Sequence, residues 1–120
     1  MELPEDVKRD VVEFQQLQQQ LQLVALQRQQ TALQLADLAK ATEDVEKSAG
    51  KLYRFTGSVL VPKDKDALKK ELSTEKESLE VRQGMFQKQE DKLRERLTSL
   101  QKRLSEFSAK QKPPASKGAA

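Results

Sequence analysis

From Glu5 to Ala49 the chain contains neither glycine nor proline, and this one feature restricts the fold more than any other. Pro4 suits a first helical turn, where its missing N–H costs nothing, and Gly50 is a natural stop. About 45 residues of unbroken helix would run ~65 Å at 1.5 Å per residue, a length typical of coiled coils. The apolar spacing agrees. Phe14, Leu17, Leu21, Val24, Thr31, Leu35, Leu38, Thr42, Val45, Ala49 and Leu52 follow one another at three and four residues. Arg28 is the charged interruption. Extended backwards, the same register places Val7 on the seam together with the charged Asp10.

A second helix-compatible stretch lies between Pro62 and Pro113, with Asp66 or Asp64 available to cap its first N–H groups. Leu72, Leu79, Phe86, Leu93, Leu100 and Phe107 recur every seven residues. Leu97 and Leu104 fill the alternating position near the end, whereas Lys76, Gln83 and Glu90 occupy it in the middle. Gly84 weakens that middle by roughly 1 kcal/mol relative to Ala. The second helix is therefore expected to lean on the first, as an antiparallel two-helix coiled-coil hairpin. Pairs at i,i+4 such as Glu5–Arg9, Glu43–Lys47 and Glu90–Arg94 fit solvent-facing surfaces.

The joining segment differs in kind. Leu52-Tyr53-Arg54-Phe55-Thr56-Gly57-Ser58-Val59-Leu60-Val61 gathers β-branched and aromatic residues around Gly-Ser, which suits a two-residue hairpin turn with Gly first. That turn would pair Thr56 with Val59, Phe55 with Leu60 and Arg54 with Val61. One face would carry Tyr53, Phe55 and Leu60, the other Leu52, Val59 and Val61. An isolated hairpin is marginal in water, and its two unpaired edges invite further strands. With no third strand legible in the chain, those neighbours are expected from other subunits. The competing reading is a loop that tucks Tyr53 and Phe55 against the helix ends.

Composition narrows the function classes. The 120 residues include no His, Cys, Trp or Asn, so the usual general base, nucleophile and transition-metal ligands are missing. Gly50, Gly57, Gly84 and Gly118 are too far apart to build a phosphate-cradling loop. No catalytic, cofactor-binding or metal residue is assigned, and the chain is not expected to be an enzyme. Charged residues reach 34% against 4% aromatics, a composition better suited to long helices than to a thick core. The absence of Cys fits a reducing interior. The acidic start lacks an apolar run, and no stretch approaches the ~20 apolar residues of a membrane span. A cytoplasmic protein with no membrane partner is expected. The net charge of +3 resides in Lys110, Lys112 and Lys117 near the end, so nucleic acid is not an expected partner.

These residues together resemble the beta-type subunits of prefoldin. The likeness rests on Leu3-Pro4, on Phe14-Gln15-Gln16-Leu17-Gln18-Gln19-Gln20-Leu21, on Tyr53 through Val61, and on Gln87-Lys88-Gln89-Glu90-Asp91-Lys92-Leu93-Arg94-Glu95. It covers residues 3 to about 107. Pro62 departs from it, since a proline after the second strand removes a ladder donor and could shorten that strand. The resemblance implies a mainly α subunit whose single β-hairpin, at the joined end of the two helices, enters an intersubunit β-barrel. It implies a hexamer of alpha-type partners and further beta-type copies. This assembly would hold unfolded polypeptide clients at its coiled-coil tips without ATP or any cofactor and pass them to a group II chaperonin.

The expected organisation is a coiled-coil and β-hairpin subunit over 1–108 (helix 4–49, β-hairpin 51–62, helix 66–108), then a disordered basic tail over 109–120. Subunit assembly would use Leu52, Tyr53, Phe55, Val59, Leu60 and Val61. The client-binding tip would combine Leu3, Val7, Val11, Val12 and Phe14 with Leu97, Leu100, Leu104 and Phe107. Val11 and Val12 lie outside the seam, and exposed apolar clusters usually mark interaction sites. Leu23, Leu26 and Leu33 are also off the seam, facing either a cavity or a neighbour. The alternative function is a coiled-coil scaffold or dimerisation module in which the middle segment is only a loop.

Overall fold

A computed structural model describes residues 3–111. Helix α1 spans Glu5–Lys47, strands β1 and β2 span Leu52–Thr56 and Val59–Lys63, and helix α2 spans Lys65–Gln111. Pro4 stands just outside α1, its carbonyl accepting the first helical bond from the Lys8 N–H at 3.0 Å. Glu5 and Asp6 fill the first turn, where negative charge meets the positive end of the helix dipole. The far end closes at Lys47 rather than Ala49, with a tightened Ser48 N–H to Val45 O bond of 3.2 Å. The Lys65 ammonium donates to the Glu46 and Ser48 carbonyls at 3.0 and 3.1 Å. The first residue of α2 thus satisfies acceptors that the end of α1 leaves without helical partners.

Asp64 holds the N-cap position of α2, its carbonyl accepting from the Leu68 N–H at 2.9 Å; Asp66 falls inside the first turn. At its other end α2 continues to Gln111, three residues beyond the expected stop at 108. Ala109, Lys110 and Gln111 are all good helix formers, and the first breaking signal in the sequence is Pro113. The remainder of the expected tail, 112–120, lies outside the described residues.

The strands pair antiparallel as Leu52↔Lys63, Tyr53↔Pro62, Arg54↔Val61, Phe55↔Leu60 and Thr56↔Val59, the register read from the Gly-Ser turn. Gly57 has φ +65°, the conformation the first position of this turn demands and one that a β-carbon would strain. Pro62 does not end β2, which runs on to Lys63. In a two-residue hairpin the pair flanking the turn exchanges both hydrogen bonds, and bonded and non-bonded pairs then alternate. Pro62 therefore falls at a non-bonded pair, where a backbone N–H would point away from β1, and no bond within the hairpin is lost.

The chain divides into two compact units, residues 26–87 and the residues up to Ala25 with those from Lys88 onward. In the first, Leu38 and Val45 of α1 cluster with Leu68 and Leu72 of α2, and Leu52 and Leu79 pack against them. Thr31 and Thr42 sit on the inward side of α1, with hydroxyls donating to the Gln27 and Leu38 carbonyls one turn back at 2.9 and 2.8 Å. Thr31 can thus be buried without an unpaired hydroxyl. Lys76, expected on the seam of α2, is exposed, and Glu75 is turned inward instead. In the second unit Val7 and Leu100 are buried, Leu100 completely. Glu90, also buried, accepts from Arg94 at 2.8 Å.

Candidate functional site

Two surfaces concern function, and the first is the hairpin. Alternation along each strand sends Leu52, Arg54, Val61 and Lys63 to one face, all of them partly buried. Tyr53, Phe55 and Leu60 lie on the opposite face and are 52%, 71% and 53% exposed. The inward face is held by charge. Arg54 of β1 donates to Glu71 Oε2 at 3.0 Å and also hydrogen-bonds Glu75. Lys63 of β2 donates to the other oxygen of Glu71 at 2.7 Å. One carboxylate of α2 therefore ties both strands.

The electrostatics follow that geometry. Hydrogen bonds from Lys63 and then Arg54 hold the Glu71 carboxyl below the usual carboxylate range. The Glu75 hydrogen bond, followed by that of Glu71 and partly opposed by burial, raises the Arg54 guanidinium above its ordinary value. An open groove of about 700 Å³ lies beside the hairpin, lined by Leu38, Val45, Leu68, Leu72, Arg54 and Glu75 among others.

All six expected assembly residues are thus on the hairpin, but not equivalently. Tyr53, Phe55, Val59 and Leu60 are open to solvent, while Leu52 and Val61 are half-buried and Leu52 packs on the core. Two apolar faces had been expected, yet Arg54 and Lys63 make the inward one mixed. Neither lysine nor glutamate was singled out from sequence. The available signal was that Arg54 and Lys63 share a hairpin face, while Glu71 and Glu75, one turn apart, form an acidic stripe on the helix that follows.

The second surface lies where α1 begins and α2 ends. Arg96 donates to both oxygens of Glu13 at 2.8 and 3.0 Å, and Arg103 pairs with Asp10 at 3.0 Å. Asp10, anomalous as a seam residue, is accommodated by this pairing. The Arg96 hydrogen bonds lower the Glu13 pKa from its ordinary value, partly offset by desolvation.

The expected gripping residues separate on burial. Leu3 and Val12 are open, at 38% and 52% exposed. Val11, Phe14, Leu97, Leu104 and Phe107 are half-buried. Val7 and Leu100 are the correction: they are buried on the inward side, at 8% and 0% exposed, and so hold the helices together rather than face a client. Their position in the same apolar stripe as Phe14 and Leu97 hides this distinction in the sequence. Elsewhere Leu23, Leu26 and Leu33 are exposed, as their off-seam positions suggested. Among the described residues no helix is long and apolar enough to cross a membrane.

Comparison with known proteins agrees with this architecture. Residues 8–111 match the model of the family described as prefoldin subunit. The chain is 42% identical over 105 residues to prefoldin subunit beta of Archaeoglobus fulgidus, covering 86% of this chain and 90% of that one. It is 35% identical over 119 residues to prefoldin subunit beta of Sulfolobus acidocaldarius, with 98% and 95% covered. The crystal structure of the prefoldin beta subunit from a Thermococcus strain superposes with a TM-score of 0.81 at 33% identity, covering 93% of this chain and 98% of that one.

Proposed function

The chain belongs to the prefoldin subunit family, in its beta-type branch, and from that premise we propose that it works in a hexamer with alpha-type partners and further beta-type copies. That assembly holds unfolded polypeptides without ATP and delivers them to a group II chaperonin. It acts by binding in the cytoplasm, with no reaction catalysed and no cofactor.

The observation that carries this reading is the outward hairpin face. Tyr53, Phe55 and Leu60 leave a large apolar area in water on that face, and Val59 adds an exposed apolar side chain near the turn on the other. No other strand among the described residues covers it. Exposed apolar surface beside two unpaired strand edges is costly for a lone chain and useful for one that joins neighbours' strands into a barrel. Clients are gripped at the other surface, chiefly by Leu3 and Val12, with half-buried Val11, Phe14, Leu97, Leu104 and Phe107 widening the patch. Non-native chains share exposed apolar groups rather than a shape, which suits an open apolar surface.

The test is light-scattering aggregation of a chemically unfolded protein diluted into nucleotide-free buffer, with this chain and its alpha-type partner present. Suppression by the wild type, lost in Leu3→Ser/Val12→Ser while the oligomer persists, supports a tip-mediated holdase. Phe55→Asp should dissolve the oligomer. An intact wild-type assembly that suppresses nothing would leave a scaffold role in its place.

A further inference from the structure

The sequence makes both faces of the hairpin rich in apolar residues, so hydrophobicity alone chooses weakly between presenting one face or the other. The charges break that near-symmetry. Arg54 and Lys63 stand on different strands but on the same face, because Arg54 pairs with Val61 and Lys63 with Leu52. Both reach Glu71, which receives Arg54 on one oxygen and Lys63 on the other at 3.0 and 2.7 Å. Glu75, one helical turn on, takes the second arm of the guanidinium. These side chains are only 27–43% exposed, so they are screened less than surface pairs. Arg supplies a planar fork that fixes direction as well as distance.

We propose that Arg54, Lys63, Glu71 and Glu75 form an orienting latch that fixes the hairpin against α2 before assembly, so that Tyr53, Phe55 and Leu60 are the face presented to neighbouring subunits. These four are positioning residues: they set the angle and the face of the hairpin rather than touch the partner. The proposal rests on the assembly reading above. A hairpin free to swing would have to be ordered at the moment of joining, and that ordering cost would appear as weaker association. With the latch closed, the cost is met within the subunit.

The chain itself supplies a reporter. Tyr53 is its single tyrosine, there is no tryptophan, and it lies on the outward face. In the isolated subunit, Glu71→Gln/Glu75→Gln should lower the fluorescence anisotropy of Tyr53 and raise its quenching by acrylamide, with helical content unchanged. Mixed with the alpha-type partner, the same variant, which breaks three partly exposed charge pairs, should assemble at least about fivefold more weakly, since one such pair at its strongest already accounts for that factor. In 1 M salt the wild type should move toward the variant. Glu71→Asp, which keeps the charge, should recover part of both signals. Arg54→Gln/Lys63→Gln attacks the latch from the strands and must reproduce the effect, which covers the case of a damaged α2.

Unchanged anisotropy and assembly within twofold of wild type, in variants of normal helicity, would overturn the latch. Phe55→Asp separates the two readings. If it leaves the oligomer intact, assembly does not run through the hairpin and the underlying reading fails. If it dissolves the oligomer while the latch variants assemble normally, the latch alone fails.

Discussion

Replacing Leu100 with Ala is the sharpest probe of the paired helix ends. Among the described residues Leu100 is the largest side chain that is fully enclosed, at 0% exposure. The substitution removes three carbons, worth about 2.4 kcal/mol at ~0.8 kcal/mol per buried group. A cavity adds to that when neighbours cannot collapse. Here the ion pairs of Arg96 and Arg103, each one turn from Leu100, hold α2 to α1 on both sides. Collapse is therefore resisted, and the loss should reach about 3 kcal/mol. That corresponds to roughly 150-fold in a local opening equilibrium. Hydrogen exchange of the amides in 8–20 and 93–106 reads it directly, with Val12→Ala as the control. Val12 is 52% exposed, so its truncation should change exchange only slightly. Equal acceleration in the two variants would refute the assignment of Leu100 to the inner seam and return it to the client-facing patch.

Gly84→Ala should stabilise the subunit by about 1 kcal/mol, because a β-carbon at Gly84 would meet nothing within 4 Å and the backbone there is helical. A melting temperature that fell instead would mean that the glycine has a role in α2 beyond its propensity. Acid should loosen the paired ends through Glu13. Its pKa is lowered in the folded chain by the Arg96 hydrogen bonds, so its stabilisation is complete above the ordinary carboxylate value of about 4.3. It is lost as pH falls through the depressed folded value. Glu13→Gln should flatten part of the fall in protection factor of these segments between pH 7 and pH 3, measured against the intrinsic exchange rate at each pH, and an unaltered acid profile would contradict the pairing.

Much of the fold was legible because its determinants are local or periodic. A two-residue turn with Gly57 first leaves one register for the strands, and all five pairs follow from it. The three-and-four spacing from Phe14 to Val45 identifies residues that are buried or half-buried throughout. What escaped depends on groups distant along the chain. Glu75 displaces Lys76 from the inward position because Arg54, 21 residues earlier, offers it a partner. Periodicity within α2 does not choose between them, since both lie three or four residues from Leu72 and Leu79. At the paired helix ends the sequence sorts inward from outward residues only in part. Val12 is set apart from Val7 and Leu100 by lying outside the seam, but along the seam itself only the facing helix decides which residues are fully enclosed and which, like Phe14 and Leu97, stay half-buried. Asp10 shows the same limit: its misfit to the stripe is visible, but its resolution by Arg103 is not.

Pro62 gives the hairpin a direction. At the non-bonded pairs the backbone groups face outward, so β1 offers a newcomer the N–H groups of Tyr53 and Phe55, whereas β2 offers that of Leu60 and none from Pro62. One edge is a full socket and the other a partial plug. Two copies joined β1 to β1 and two joined β2 to β2 would gain different numbers of hydrogen bonds, and a mixed junction would fall between them. In the proposed assembly, a unit with unequal edges would carry its own instruction about which neighbour goes on which side, written by a single imino acid.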